Sequence, residues 1–404
     1  MKKTLLVYDD LSQWATNYER RLRSVRAVSS KFDVDTIDNE RLASELDILR
    51  ERQAQTREGR RWGSGQQSLF DETDVLVVDI DLAESLNPFL TGDLVSYLVR
   101  CFSKCGLIIG LSQYQKLDFD LLLKGEPGSF TDLTVKSDQI ANKGLWGQPW
   151  EGFRPWTWPL VPAFLEAFES KVHTLVSKMS AGVLDTIGLG EVASSLPESA
   201  VEFLGSNPEE VTFSQFVAQS RYGIRSPDSA PDSEVATRIA VARVSKCIEK
   251  LILPGQDVLV DAPHLVSRFP SLLVGNPNLK STWNRTTRFA PYNELNVSRK
   301  VDRFRLRDAK WVSRPAWLAS EVSNSQAISE NKEVRKRIPF KFGFCEDASA
   351  FYSLDECTEF FSGVESYYVR RYIHGFRELE LDYGPKTNLL QTGVSQSFRK
   401  RARK

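Results

Sequence analysis

Histidine and cysteine are scarce, with three and five in 404 residues. Cys101, Cys105, Cys247, Cys345 and Cys357 are too few and too scattered for a disulfide framework. Cys101 and Cys105 are four apart and fit one helix face, yet so few histidines leave a zinc site without enough ligands. Buried thiols in a reducing compartment are expected instead. Long apolar runs are also missing, and no stretch approaches the ~20 residues of a membrane span. The opening, Met1 to Asp10, is basic and then apolar, but Asp9 and Asp10 end it too early for a signal peptide. A cytoplasmic chain is expected. Neither sign of charge dominates, with 53 basic and 53 acidic residues. Nucleic acid or membrane contact would therefore need a local patch. The sequence has no Walker A loop, no glycine-rich dinucleotide fingerprint and no His-Glu-x-x-His. It has no internal repeat and no low-complexity tract.

What is present suits a packed core: 41% hydrophobic and 26% charged residues over a length expected to hold two or three domains. Lys3 to Tyr8 reads as a buried strand ending in acids, and Leu11 to Arg26 as a helix carrying Trp14, Tyr18, Leu22 and Val25 at helical spacing. Phe32 to Ile37 alternates like a strand. Asn39 to Thr56 reads as a helix, capped by Asp38 or Asn39, with Leu42, Leu46 and Leu49 on its apolar face. Arg57 to Thr73, rich in Arg, Gly, Gln and Ser, is expected to be an exposed insertion. Asp74 to Ile80 is the strongest strand signal, Thr91 to Cys105 a helix ended by Gly106, and Leu107 to Leu111 and Leu133 to Lys136 two further strands. Alternating apolar strands and helices predict an α/β fold: a doubly wound, parallel five-stranded sheet covered on both faces.

Residues 144–159 hold four tryptophans and three prolines, which excludes a regular helix or central strand and predicts an ordered connector packed on its neighbours. Leu160 to Gly182, Ser199 to Leu204, Thr212 to Gln219 and Ser233 to Leu253 read as helices, and Ser226 to Ser233 as a loop. From Val258 the pattern is mixed α+β. The expected units are residues 1–142, a connector 143–159, a helical region 160–255, a mixed region 256–396 and a basic tail 397–404.

Parallel sheets place ligands at the carboxyl ends of their strands. Here those ends carry Asp9, Asp10, Asp79, Ser112 and Lys136. Three carboxylates at one place repel each other unless a cation joins them, and Mg²⁺ suits such oxygen donors. Asp79 could then act as a nucleophile toward a phosphoryl group, with the cation and Lys136 neutralising charge and Ser112 holding an oxygen.

In these motifs the chain resembles the receiver domains of bacterial response regulators. Val7-Tyr-Asp-Asp10 matches the acidic pair and Val77-Val-Asp-Ile-Asp81 the acceptor strand. Ile108-Ile-Gly-Leu-Ser112 matches the switch-hydroxyl strand, and Leu133-Thr-Val-Lys136 the lysine strand. The likeness covers about a third of the chain. It implies a receiver-type, flavodoxin-like fold, Mg²⁺ held by Asp9, Asp10 and Asp79, Asp79 as phosphoacceptor, Ser112 and Lys136 as its helpers, and a histidine kinase as partner in two-component phosphorelay signalling. The chain departs from the family in its long insertion before Asp79, in Ser137 where proline is common, and in Glu126-Pro-Gly128 in place of a helix. A pseudo-receiver that keeps the fold for protein contacts is the competing expectation. A receiver joined to an unfamiliar region would suit a bacterial scaffold within a regulatory or anti-phage defence complex.

The segment Lys280 to Arg314 has ten basic residues against three acidic ones, among them Arg285, Arg288, Arg299, Lys300, Arg303, Arg305 and Arg307. Trp283, Phe289, Tyr292, Phe304 and Trp311 are interleaved. This composition suggests an atypical nucleic-acid-binding output, although no helix-turn-helix is visible. An unrecognised enzyme in the C-terminal half is the third expectation. Its support is thin: Asp261-Ala-Pro-His264, read as a turn; Cys345-Glu-Asp347, read as a strand exit or a site; and Pro231-Asp232 with Glu330-Asn-Lys332, a widely spaced set resembling an acid–acid–lysine nuclease.

Overall fold

The computed structural model describes residues 2–60, 67–82, 90–112, 128–152, 154–156, 158–205, 207–218, 233–288, 295–306, 311–325, 328, 341–360 and 371–374. Its N-terminal sheet is made of β1 (Lys3–Tyr8), β2 (Phe32–Thr36), β3 (Val75–Asp79), β4 (Leu107–Ser112) and β5 (Leu133–Lys136), all parallel, in the order β2-β1-β3-β4-β5. Helices α1 (Ser12–Ser24), α2 (Arg26–Lys31), α3 (Asn39–Arg57) and α4 (Gly92–Phe102) form the crossovers among the described residues. This is the doubly wound architecture expected. The central strands are apolar throughout because both faces are covered; every residue of β3 is buried. Each fully buried aliphatic side chain there contributes about 1.5–3 kcal/mol.

Local chemistry sets the helix limits. Asp38 caps α3 by accepting the Arg41 N–H at 2.8 Å, and Leu42, Leu46 and Leu49 face the sheet. The expected helix from Leu11 to Arg26 stops at Ser24; Val25 adopts an extended conformation, and α2 follows it. The helix expected to reach Cys105 ends at Phe102. Gly106 serves another purpose than a helix stop: a Cβ there would lie 2.2 Å from the Asp74 carbonyl oxygen, so glycine permits close approach to the start of β3. The second half of the Arg57–Thr73 insertion is anchored, not exposed throughout. Phe70 is buried, Ser68 and Asp71 form a capping box, and Asp71 receives a bidentate bond from the buried Arg52 at 2.6 and 2.9 Å.

The tryptophan-rich connector packs on both cores of the chain. Trp146, Trp156 and Trp158 are buried, and a Cβ on Gly144 would overlap the Trp150 ring. Helices α5 (Val161–Leu175), α6 (Val183–Ile187), α7 (Glu198–Leu204), α8 (Phe213–Ala218) and α9 (Ser233–Lys246) follow. Cys247–Ile252 continues α9 as a π-helix and Leu253–Gly255 as a 3₁₀ turn. One continuous apolar core runs from the sheet through these helices to Leu306, Trp311 and Ala316. Charge ties α4 and α9 to each other and to their neighbours as well. Arg100 pairs with Asp132 and lies 5.2 Å from the Phe168 ring centroid; Arg238 grips Glu169 at 2.8 and 2.9 Å; Lys104 meets Glu234 at 3.0 Å; and the buried Lys246 ammonium donates to the Ser129 carbonyl.

The C-terminal region contains β6 (Leu259–Asp261), α10 (Ala262–Arg268), α11 (Lys280–Asn284), β7 (Ala316–Leu318), α12 (Ala319–Ser323), β8 (Phe342–Cys345), β9 (Ala350–Ser353), β10 (Thr358–Phe360) and β11 (Arg371–Ile373). β6 and β7 pair antiparallel, and β10-β11-β8-β9 form a mixed four-stranded sheet. A second core, with Trp156, Val260, Leu265, Trp283, Trp317, Phe344 and Phe351, holds this region together. No described helix is long and apolar enough to cross a membrane. The loop expected at Ser226–Ser233, apart from Ser233 itself, and the basic tail lie outside the described residues, as do Arg307, Phe289, Tyr292, Asp232, Glu330 and Lys332.

Candidate functional site

Strand order dictates where a ligand can enter. The order β2-β1-β3-β4-β5 reverses direction between β1 and β3, and the crevice at the carboxyl ends of those two strands is the usual ligand position in such sheets. Asp9 and Asp10 leave β1 at that point, and Asp79 ends β3 beside them, since Tyr8 pairs with Val78. One oxygen from each of the three buried carboxylates lies within 4.8 Å of the others. Asp9 is further fixed by accepting the Leu11 N–H at 2.9 Å. Burial raises its pKa to about 6, the Leu11 N–H opposes that shift, and the neighbouring Asp10 adds to it. The Tyr8 phenol, which donates to Asn39 Oδ1 at 3.1 Å, is pushed above its ordinary value by burial and by the charge of Asp10, Asp9 and Asp79.

All three donors are carboxylate oxygens, with no nitrogen or sulfur among them, which fits a hard divalent cation such as Mg²⁺. The start of α4 packs against the backbone at the end of β3. A Cβ on Gly92 would fall 2.1 Å from the Asp79 carbonyl oxygen, and the Gly92 N–H donates to the Ile80 carbonyl at 3.1 Å.

Ser112 and Lys136 are brought together as strand neighbours. They are register partners at the carboxyl ends of β4 and β5, one pair beyond Asp79 and Leu111. Lys136 is largely buried and its ammonium lies 3.5 Å from Asp138, in the 3₁₀ turn that follows.

The basic aromatic segment divides on folding. Trp283 and Trp311 enter the core and present no face for base stacking. Arg285, Arg288, Arg299, Lys300 and Arg303 are exposed; Arg305 is half-buried, and Phe304, also half-buried, lies 4.6 Å from the Arg303 guanidinium.

A second constellation joins two segments that look unrelated in sequence. Asp261 caps α10, so Asp261-Ala-Pro-His264 is a helix start, not a free turn. His264 Nδ1 lies 2.5 Å from Asp261 Oδ1, and its Nε2 lies 3.3 Å from Glu346 Oε1, just past β8. Arg371 on β11 binds both oxygens of Glu346. Asp261 Oδ2 accepts from Trp156 Nε1 at 2.7 Å, Arg314 Nε at 3.0 Å and Gln256 Nε2 at 3.0 Å, and Arg314 reaches Glu249 at 3.5 Å. With His264 protonated, three cations face three carboxylates. Burial disfavours the His264 charge, but Asp261 and Glu346 outweigh it and raise its pKa. Glu346 is held at about 2: burial opposes this, and Arg371 and His264 overcome it. The adjacent Asp347 accepts the His374 N–H at 3.0 and 3.2 Å. In the sequence its pieces stand apart, as Asp261-Ala-Pro-His264 and Cys345-Glu-Asp347.

No protein-family model, no curated protein and no solved structure matches this chain. Its class rests on fold and site: a parallel five-stranded α/β sheet of receiver-like type with a buried aspartate cluster at the switch point.

Proposed function

We propose that this chain is a signalling or scaffold protein whose N-terminal unit binds a divalent cation and accepts a phosphoryl group on Asp79. The observation that carries this reading is the convergence of Asp9, Asp10 and Asp79 at the switch point of the sheet. Asp9, Asp10 and Asp79 would hold Mg²⁺, which would neutralise their charge and that of the phosphoryl oxygens. An Asp79 carboxylate oxygen attacks phosphorus, the bond from phosphorus to the donor's leaving group breaks, and the leaving group departs with that electron pair. The Ser112 hydroxyl donates to a phosphoryl oxygen, and the Lys136 ammonium, turned from Asp138, neutralises another. The donor in this reading is a histidine kinase or a small acyl phosphate. The α4–α9 contact, with its Lys104–Glu234 ion pair, offers the path by which a change at Asp79 reaches the rest of the chain, which docks other proteins.

The test is incubation of the full chain with Mg²⁺ and a small phosphodonor, followed by intact-mass measurement. Wild type gains one phosphoryl mass, and Asp79→Asn gains none. Absence of a gain in wild type overturns the phosphoacceptor reading and leaves a pseudo-receiver that serves protein contacts. The Lys136–Asp138 contact favours that second reading. Nucleic-acid contact through Arg285, Arg288, Arg299, Lys300 and Arg303 is a separate proposal, supported by their exposure and tested by a steep loss of binding with salt.

A further inference from the structure

Five cysteines are buried and none forms a disulfide, but only two touch among the described residues. Cys345 Sγ, at the end of β8, lies 3.4 Å from Cys357 Sγ, just before β10. Cys345 has no exposed surface, whereas Cys357 retains 7%. We propose that Cys345 and Cys357 form a reversible dithiol–disulfide site, with Cys357 reacting first and Cys345 resolving it.

The sulfurs are already in van der Waals contact, so closure needs only a small side-chain adjustment. The Cys345 thiol hydrogen bond favours thiolate at Cys357, and burial opposes it; the net direction for Cys357 is below its ordinary value. Cys345 moves the other way, because the same hydrogen bond and burial both disfavour its thiolate until Cys357 has been consumed. The oxidant is a low-molecular-weight disulfide such as oxidised glutathione. Cys357, after losing its proton, attacks one sulfur, and the first glutathione leaves as thiolate. Cys345 then loses its proton and attacks the Cys357 sulfur, expelling the second glutathione. Two protein thiols become one disulfide, and one external disulfide becomes two thiols.

The bond would close a ring around Glu346 and Asp347. Those carboxylates hold Arg371, His264 and the His374 amide. Oxidation would therefore lock the β8–β9 hairpin to the start of β10 and stiffen the sheet that carries the buried charge network. In a reducing compartment such contacting thiols serve sensing rather than permanent bracing.

The experiment uses the native full chain. It is equilibrated in glutathione redox buffers, quenched with an alkylating agent and mapped by peptide mass. Wild type yields a Cys345–Cys357 linked peptide that dithiothreitol reverses, while Cys101, Cys105 and Cys247 are recovered reduced. Cys345→Ser stops at a glutathione adduct on Cys357. Recovery of both wild-type thiols as reduced, or a glutathione adduct on Cys357 with no linked peptide in wild type, overturns the proposal. The wild-type map decides it even where a variant folds poorly.

Discussion

Replacing Glu346 by alanine tests whether the C-terminal sheet is held by its buried charges. Glu346 Oε2 accepts Arg371 Nη2 at 2.6 Å, while Oε1 accepts Arg371 Nε and faces His264 Nε2 at 3.3 Å. Truncation leaves a guanidinium and an imidazolium in the interior with their shared counter-charge gone. Breaking such a pair from one side costs about 3–5 kcal/mol. The loss should fall first on the segment around β8 and β11, so amide hydrogen exchange of peptides spanning 342–353 is the direct assay. The cost corresponds to roughly 10²–10⁴-fold faster exchange of Phe344 and Cys345. Exchanging both partners for apolar residues, Glu346→Leu with Arg371→Met, should be milder than the single change, because no guanidinium stays buried without its carboxylate and His264 keeps Asp261. The exposed pair Asp47–Arg50, at 2.9 Å, is the control, and Asp47→Ala should change stability by less than about 1 kcal/mol. A Glu346→Ala chain with exchange within tenfold of wild type would refute the reasoning.

The same network predicts a pH dependence. Because the folded His264 pKa is raised above 6.5, its contribution is whole below about pH 6.5 and fades as pH rises through the folded value. Protection of 342–353 should decline on that alkaline side, and His264→Gln should flatten the profile. Asp9 behaves oppositely to a paired acid: its folded pKa of about 6 lies above the ordinary 3.8, so stability falls as pH rises across that interval. Asp9→Asn should therefore raise the cation-free thermal midpoint at pH 7 and abolish the further rise that Mg²⁺ gives wild type. Gly92→Ala forces a methyl against the Asp79 carbonyl and should cost about 1–3 kcal/mol in denaturant unfolding, with weaker cation binding. A neutral Gly92→Ala would show that the close approach of α4 to the end of β3 is not needed.

The parallel sheet was legible because β1, β3 and β4 are apolar on both faces, a pattern that only a covered sheet produces. Asp9, Asp10, Asp79, Ser112 and Lys136 were legible because strand ends are local features, and a parallel sheet brings them to one edge. The network of Asp261, His264, Glu346, Arg314 and Arg371 was not, because its members come from four places in the chain and no periodicity links them. Asp261 looked like a turn residue, although Pro263 and the helix it starts were adjacent. The aromatics near Arg285 and Arg303 misled in part: Trp283 and Trp311 are interleaved with arginines in sequence, yet each points inward, and local composition does not record side-chain direction. The apparently exposed insertion is likewise anchored by the buried Phe70 ring and by Asp71, which Arg52 holds.

Cation binding at Asp9, Asp10 and Asp79 is the most direct test of the site. Titration of the full chain with Mn²⁺, followed by electron paramagnetic resonance, should show one ion bound per chain, displaced by Mg²⁺ and lost in Asp10→Asn and Asp79→Asn. Equal Mn²⁺ binding by wild type and both variants, or none by wild type at millimolar concentration, would contradict the account.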